Sequence, residues 1–106
     1  MTILATLQAM GDPTRFQILR LVRHRELAAG EIARHFDLTR PAISQHVHIL
    51  RRAGLLKERR QGQKRLYIVR SEGFAPLRAF IEGYWDDRLQ RLKKAAEAIE
   101  ARRKSS

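Results

Sequence analysis

The sequence predicts a mainly α chain with one small β-hairpin, its elements running α-α-α-α-β-β-α. Three observations carry that prediction. Between Glu26 and Leu56, two short helical patterns are joined by a tight break. After Gly54 the apolar period shortens, and two strand-like runs flank a glycine. From about Gly73 to Arg103, apolar residues recur at steps of four and three, the spacing of one long helix. The chain of 106 residues reads as a single domain, 1–106, with a modest core. Its compact part spans about 3–70 and its terminal helix about 73–103.

In order, Ile3, Leu4, Leu7 and Met10 form a short apolar helix ended by Gly11. A helix this short is marginal alone in water, so it must dock on something. Asp12 as N-cap and Pro13 in the first turn start a helix to about His24. Its Phe16, Ile18, Leu19 and Val22 are expected inward, with Arg20 and Arg23 outward. Arg15, near the helix start, is expected to pair with a neighbouring acid; phosphate contact is the alternative. Ile32, Ala33 and Phe36 then mark a short helix that Asp37-Leu38 interrupts. Thr39 can cap the next helix, and Pro41 is tolerated in its first turn, where an N–H has no helical partner. Ile43, Val47 and Leu50 form one apolar stripe, and Gly54 stops the helix. The opposite face carries Arg40, Ser44, Gln45, His48, Arg51 and Arg52, with no carboxylate among them.

Residues Leu55–Arg60 and Lys64–Arg70 read as strands, with Gln61-Gly62-Gln63 as the hairpin loop. Arg59, Arg60, Lys64 and Arg65 crowd its tip, an arrangement that phosphates would relieve. A two-stranded ribbon is marginal alone, so its inner face must rest on the helices. In the terminal helix Pro76 falls in the first turn. Trp85, Leu89, Leu92, Ala96 and Ile99 form a coiled-coil type of seam, and Leu77, Ile81 and Tyr84 extend it backward. The expected partner is the same helix of a second subunit, with Leu4 and Leu7 of the first helix beside it. A helix folded over its own domain is the alternative. Residues Arg102 to Ser106 read as a frayed, solvated tail.

A short helix, a turn, and a second helix with a cationic outer face match the helix-turn-helix layout, and a hairpin directly after it is a wing. In that layout the second helix enters the major groove of DNA. An ordinary helical hairpin with a solvated basic face is the alternative. Composition favours the first: 22 Lys+Arg against 11 Asp+Glu leave a net charge of +11, so a polyanion is the natural partner. No apolar run is long enough to span a membrane and no leader opens the chain, so neither insertion nor secretion is expected. The absence of cysteine excludes disulfides and thiolate metal sites and suits a cytoplasmic location. No phosphate-cradling glycine loop and no nucleophile–base pair appears, so no enzyme and no cofactor are expected. Thr39, Arg40, Ser44, Gln45, His48 and Arg51 are the candidate DNA contacts of the second helix. Gln45 suits adenine and Arg40 guanine. Arg59, Arg60, Lys64 and Arg65 are candidates for phosphate or minor-groove contact.

Asp12-Pro13-Thr14-Arg15, Ser44-Gln45-His46, the run from Leu50 to Leu56, Gly62 and Tyr67, in this element order, resemble the ArsR/SmtB family of winged helix-turn-helix repressors. The likeness is close over about residues 3 to 70 and looser in the final helix. It implies a homodimer on an inverted-repeat operator of double-stranded DNA, usually repressing its own operon, and a helix-packing role for His46. The segment from Tyr84 to Leu89 resembles a metal-independent branch. Metal sensors of the family place Cys-x-Cys after a Glu-Leu pair, whereas here Ala28-Ala29-Gly30 follow Glu26-Leu27. Their other site needs Asp and His in the last helices, and this one has Asp86 and Asp87 but no histidine. His24 and His35 have no partner at ligand spacing, and His48 falls on the DNA face. The expected activity is therefore repression without a metal. The alternatives are the same repressor controlled by an organic ligand or partner protein, and a non-regulatory basic nucleic-acid-binding module.

Overall fold

A computed structural model describes residues 2–105, apart from the side chain of Ser105. Helix α1 (Ile3–Met10) and helix α2 (Pro13–Leu21) lead into a two-residue strand, β1 (Leu27–Ala28). Helices α3 (Ala29–Ala33) and α4 (Arg40–Arg52) follow, then β2 (Leu56–Gln61) and β3 (Lys64–Val69). A 3₁₀ turn (Ser71–Phe74) passes into α5 (Ala75–Ser105). This is a winged helix-turn-helix fold. The three strands form an antiparallel sheet in the order β1-β3-β2, with Leu27 opposite Tyr67 and Glu58 opposite the same residue from the other side.

The core is built from apolar residues of α1 to α4 and of the sheet. Ile18, Val22, Ile32, Ile43, Leu50 and Leu55 are completely buried. Leu27 and Tyr67 close the core from the sheet side. Helix α4 ends in a tight cap. Gly54, at φ 78°, donates its N–H to Arg51 O at 2.9 Å, and Leu55 donates to Leu50 O at 3.0 Å. The same glycine anchors the next segment, because a β-carbon on Gly73 would lie 1.9 Å from Gly54 O. Only a residue without a side chain lets the 3₁₀ turn pass this close to the end of α4.

Several boundaries and contacts differ from the sequence expectation. Helix α2 stops at Leu21, with Val22 as its cap, not at His24. Phe16 is 43% exposed, because it shares the outer face of α2 with Gln17 and Arg20 while Ile18 and Leu19 take the core. Among the described residues Arg15 makes no salt bridge, and its charge acts on Asp12 only at longer range. Its Nε donates to Ala9 O at 2.7 Å and its Nη2 to Gln8 O at 3.2 Å, which caps the end of α1. The hairpin loop is two residues, Gly62-Gln63, since Gln61 and Lys64 pair as strand residues. Of these two loop residues Gly62 alone has a positive φ, 63°, as a type II′ turn requires. Strand β1 was not expected; two residues carry no periodicity. The predicted frayed tail is helical as far as Ser105, and Ser106 lies outside the described residues.

Helix α5 spans 31 residues, roughly 46 Å at the usual rise. It covers its own domain only through its first turn, where Pro76 and Leu77 are half-buried, and every described residue from Arg78 onward is exposed. The fold is accordingly 74 Å long and only 26 by 23 Å across. A cover helix for its own domain is excluded. Leu77, Ile81 and Tyr84 also lie on a stripe rotated by roughly 70° from that of Trp85 to Ile99, at about 100° per residue. The apolar surface of α5 therefore consists of two adjoining stripes.

Candidate nucleic-acid interface

Helix α4 is held in place by its own sequence. Thr39 Oγ1 accepts the Ala42 N–H at 3.3 Å, Pro41 sits in the first turn, and Ile43, Val47 and Leu50 are buried. That fixes which residues face outward. Arg40, Ser44, Gln45, His48, Arg51 and Arg52 are all exposed, as is Thr39 at the cap. His46, half-buried, points instead toward α2, with Nδ1 3.4 Å from Arg15 Nη1 and 3.9 Å from Asp12 Oδ2.

The outer face of α4 divides into two regions. Arg40 and Ser44 border a cleft of about 490 Å³, shared with Ala28 to Glu31, Arg34 and the wing residues Gln63, Lys64, Arg65 and Tyr67. Gln45 and His48 border a second, shallower hollow with Ser44 and Ile49. Arg51 belongs to neither. Its Nη1 lies 3.5 Å from Glu58 Oε1, the atom that also accepts the Tyr67 hydroxyl at 3.1 Å. Burial, and then this hydrogen bond, push the Tyr67 phenol above its ordinary range, so it stays a donor.

The wing cations are likewise of two kinds. Arg59 is gripped by Glu26 through Nε–Oε2 at 2.8 Å and Nη2–Oε1 at 3.1 Å, a bidentate pair across β2 and the segment before β1. Those hydrogen bonds hold the Glu26 carboxyl below the usual carboxylate range and raise Arg59 above its own. Arg60 stands directly opposite Arg65 across the hairpin, and Lys64 opposite Gln61. Like charges facing each other across a ribbon are destabilising unless something else neutralises them. Among the described residues no carboxylate pairs with Arg60, Lys64 or Arg65. Sequence reasoning missed Glu26 and Glu58 as holders of arginines and Arg34 as a lining residue. The sheet register brings Glu58 beside Tyr67, but Glu26 depends on the unpredicted β1.

Comparison with known proteins follows the same lines. A helix-turn-helix domain profile matches residues 10–59. The chain is 40% identical over 78 residues to the HTH-type transcriptional regulator Rv2034 of Mycobacterium tuberculosis, covering 74% of this chain and 73% of that protein. The crystal structure of a possible transcriptional regulator for arsenical resistance superposes with a TM-score of 0.69 at 37% identity, over 87% of this chain and 96% of that one. The chain belongs to the ArsR/SmtB family. It is a DNA-binding transcriptional regulator and not an enzyme. The transcriptional repressor SdpR of Bacillus subtilis is 43% identical over 56 residues, or 53% of this chain and 62% of SdpR. That match spans less than two thirds of SdpR. Among the described residues, no helix is long and apolar enough to cross a membrane.

Proposed function

We propose that this ArsR/SmtB member is a cytoplasmic homodimeric repressor, binding an inverted-repeat operator at its own promoter without a metal effector. The observation that carries this reading is the uncovered apolar surface of α5. Trp85, Leu89, Leu92 and Ile99 are 56, 57, 64 and 57% exposed, and Leu4 of α1 is 67% exposed. The chain exposes 8145 Å², against about 6,100 Å² for a compact monomer of its mass. Two such chains carry an excess of about 4,000 Å² between them, within the range that obligate homodimer interfaces bury in total. Tyr84 and Trp85 pack edge to face with ring centres 6.4 Å apart, and Arg88 donates to the Tyr84 hydroxyl at 3.2 Å. Aromatic residues with an arginine beside them are the usual anchors of such interfaces.

Pairing two subunits presents two copies of α4, which suits a two-fold operator. In each copy Gln45 and His48 are free to reach base edges, while Arg60, Lys64 and Arg65 serve phosphates. Repression is the reading that the likeness to SdpR favours. Independence of metal is supported by the donor set. The chain has no cysteine, α5 has no histidine, and among the described residues no three His, Asp or Glu side chains come together.

Footprinting on the DNA flanking its own coding region, combined with sedimentation at micromolar protein, tests this reading. The expected result is a dimer protecting a short palindrome, with lower reporter expression when the protein is present. Uniform coating of DNA would support the non-regulatory module instead, and a monomer would sink the dimer. Zinc, cadmium, copper and arsenite should leave operator affinity unchanged. A stoichiometric metal that releases DNA, and loses that effect in a histidine variant, would overturn metal independence.

A further inference from the structure

We propose that the cleft between α3, the start of α4 and the wing is a clamp for a backbone phosphate of the operator. Arg34 and Arg40 form its helical side and Lys64 and Arg65 its wing side. The proposal rests on the operator-binding reading above, and it moves Arg40 from base reading to phosphate holding. Four cations line one cleft of about 490 Å³. The carboxylate that lines it, Glu31, is turned into the backbone, where Oε1 accepts the Ala28 N–H at 3.0 Å. Among the described residues none of the four cations has a carboxylate partner, in contrast to Arg51 and Arg59. Four cations against one carboxylate leave the cleft with a net positive charge, repulsive by itself and favourable around an anion.

The position of Arg40 argues against contact with a base. A β-carbon at Gly30 would stand 3.8 Å from Arg40 Cζ and 3.9 Å from its Nε. The guanidinium thus lies against the first turn of α3, facing the wing, while Gln45 and His48 border the other hollow. A guanidinium in that place offers its planar fork to a phosphodiester strand passing between helix and wing. Ser44 and Gln63, also on the lining, supply neutral donors to the same oxygens.

The test compares the dependence of binding on salt for Arg34→Gln, Arg40→Gln and, as a control of equal charge change outside the cleft, Arg20→Gln on the outer face of α2. Operator and random duplexes are measured side by side. Each clamp substitution should flatten the slope of log K against log salt by about one per subunit. Both duplexes should weaken by the same factor, so that their ratio holds. Arg20→Gln should leave the slope in place. Arg34 and Arg40 are both exposed, so these variants keep the fold. An unchanged slope for Arg34→Gln would overturn the clamp. So would an Arg40→Gln variant that loses operator binding alone, since that behaviour belongs to a guanine reader. Wild-type protein with no preference for its operator would instead remove the operator reading, and the clamp with it, before any variant is examined.

Discussion

Residues 3–74 and helix α5 use the same apolar residue types in opposite ways. In the first region Ile18, Ile32, Ile43, Leu50 and Leu55 are at 0% exposure, sealed by neighbours from four helices and a sheet. In the second, Leu89 and Leu92 stand 57 and 64% exposed on a helix with no neighbour along most of its length. Both regions carry apolar residues at helical spacing, Ile43, Val47 and Leu50 in α4 and Trp85, Leu89 and Leu92 in α5. Periodicity therefore tells which face of a helix avoids water, and says nothing about which chain covers it. The first region closes within one subunit, whereas the second is completed by a second copy in the proposed dimer.

The largest expected effect separates the two regions outright. Replacing both Leu89 and Leu92 by Asp should give monomers in sedimentation and abolish operator shifts, because one half-site supplies too few contacts. The helical signal of residues 3–74 should survive. Loss of that fold in the monomer would mean that the two regions are one cooperative unit. Next comes a substitution inside the sealed core. Leu50→Ala should cost about 3 kcal/mol in urea unfolding, in the dimer and in the Asp-substituted monomer alike. Leu92→Ala should weaken only the dimer, so its effect on the unfolding midpoint should fade on dilution. At the junction, Gly73→Ala forces a methyl onto the backbone of Gly54 and should cost about 1–3 kcal/mol. It should also weaken dimerisation, because the 3₁₀ turn sets the direction in which α5 leaves the domain. An unfolding midpoint equal to that of wild type would show that the turn relaxes freely.

Most of the fold is legible in the sequence because its signals are local. Thr39, Pro41 and Gly54 punctuate α4, and the hairpin is announced by β-prone runs around Gly62. Strand β1 escapes because Leu27-Ala28 is too short for any period and exists only by pairing with Tyr67 and Leu66. Phe16 is misplaced because a nine-residue helix with apolar residues on several sides has no single inward stripe. For the interface, the residues on the outer face of α4 follow from the stripe of Ile43, Val47 and Leu50. What does not follow is how those residues divide. That Arg51 faces Glu58, Arg59 faces Glu26 and Arg40 faces the wing depends on strand register and on how β1 meets β3, which are long-range facts. The carboxylate partners of two arginines could not be read from charge counts.

The smallest expected effect tests whether the core region is stabilised independently of α5. Asp12 Oδ2 accepts the N–H groups of Thr14 at 2.9 Å and Arg15 at 3.1 Å, satisfying two donors at the start of α2. The Arg15 N–H is the main reason that its carboxyl titrates below the ordinary carboxylate range, with the charges of His46 and Arg15 adding to it and partial burial opposing it. A group with a lowered pKa in the folded state stabilises the fold above its unfolded pKa. That contribution is lost as pH falls through the folded value. Stability should therefore decline below about pH 4, where the carboxylate begins to take up a proton. Asp12→Ala should cost about 1 kcal/mol at neutral pH through the lost cap. Asp12→Asn, which still caps but cannot ionise, should keep most of the neutral-pH stability and flatten the acid decline. Urea midpoints between pH 3 and 7 read both effects. Because Asp12 and its partners lie wholly within the sealed region, the acid decline removed by Asp12→Asn should have the same size in wild type and in the Leu89→Asp, Leu92→Asp monomer. A decline that disappears in the monomer would instead assign the acid sensitivity to the subunit interface and make the two regions interdependent.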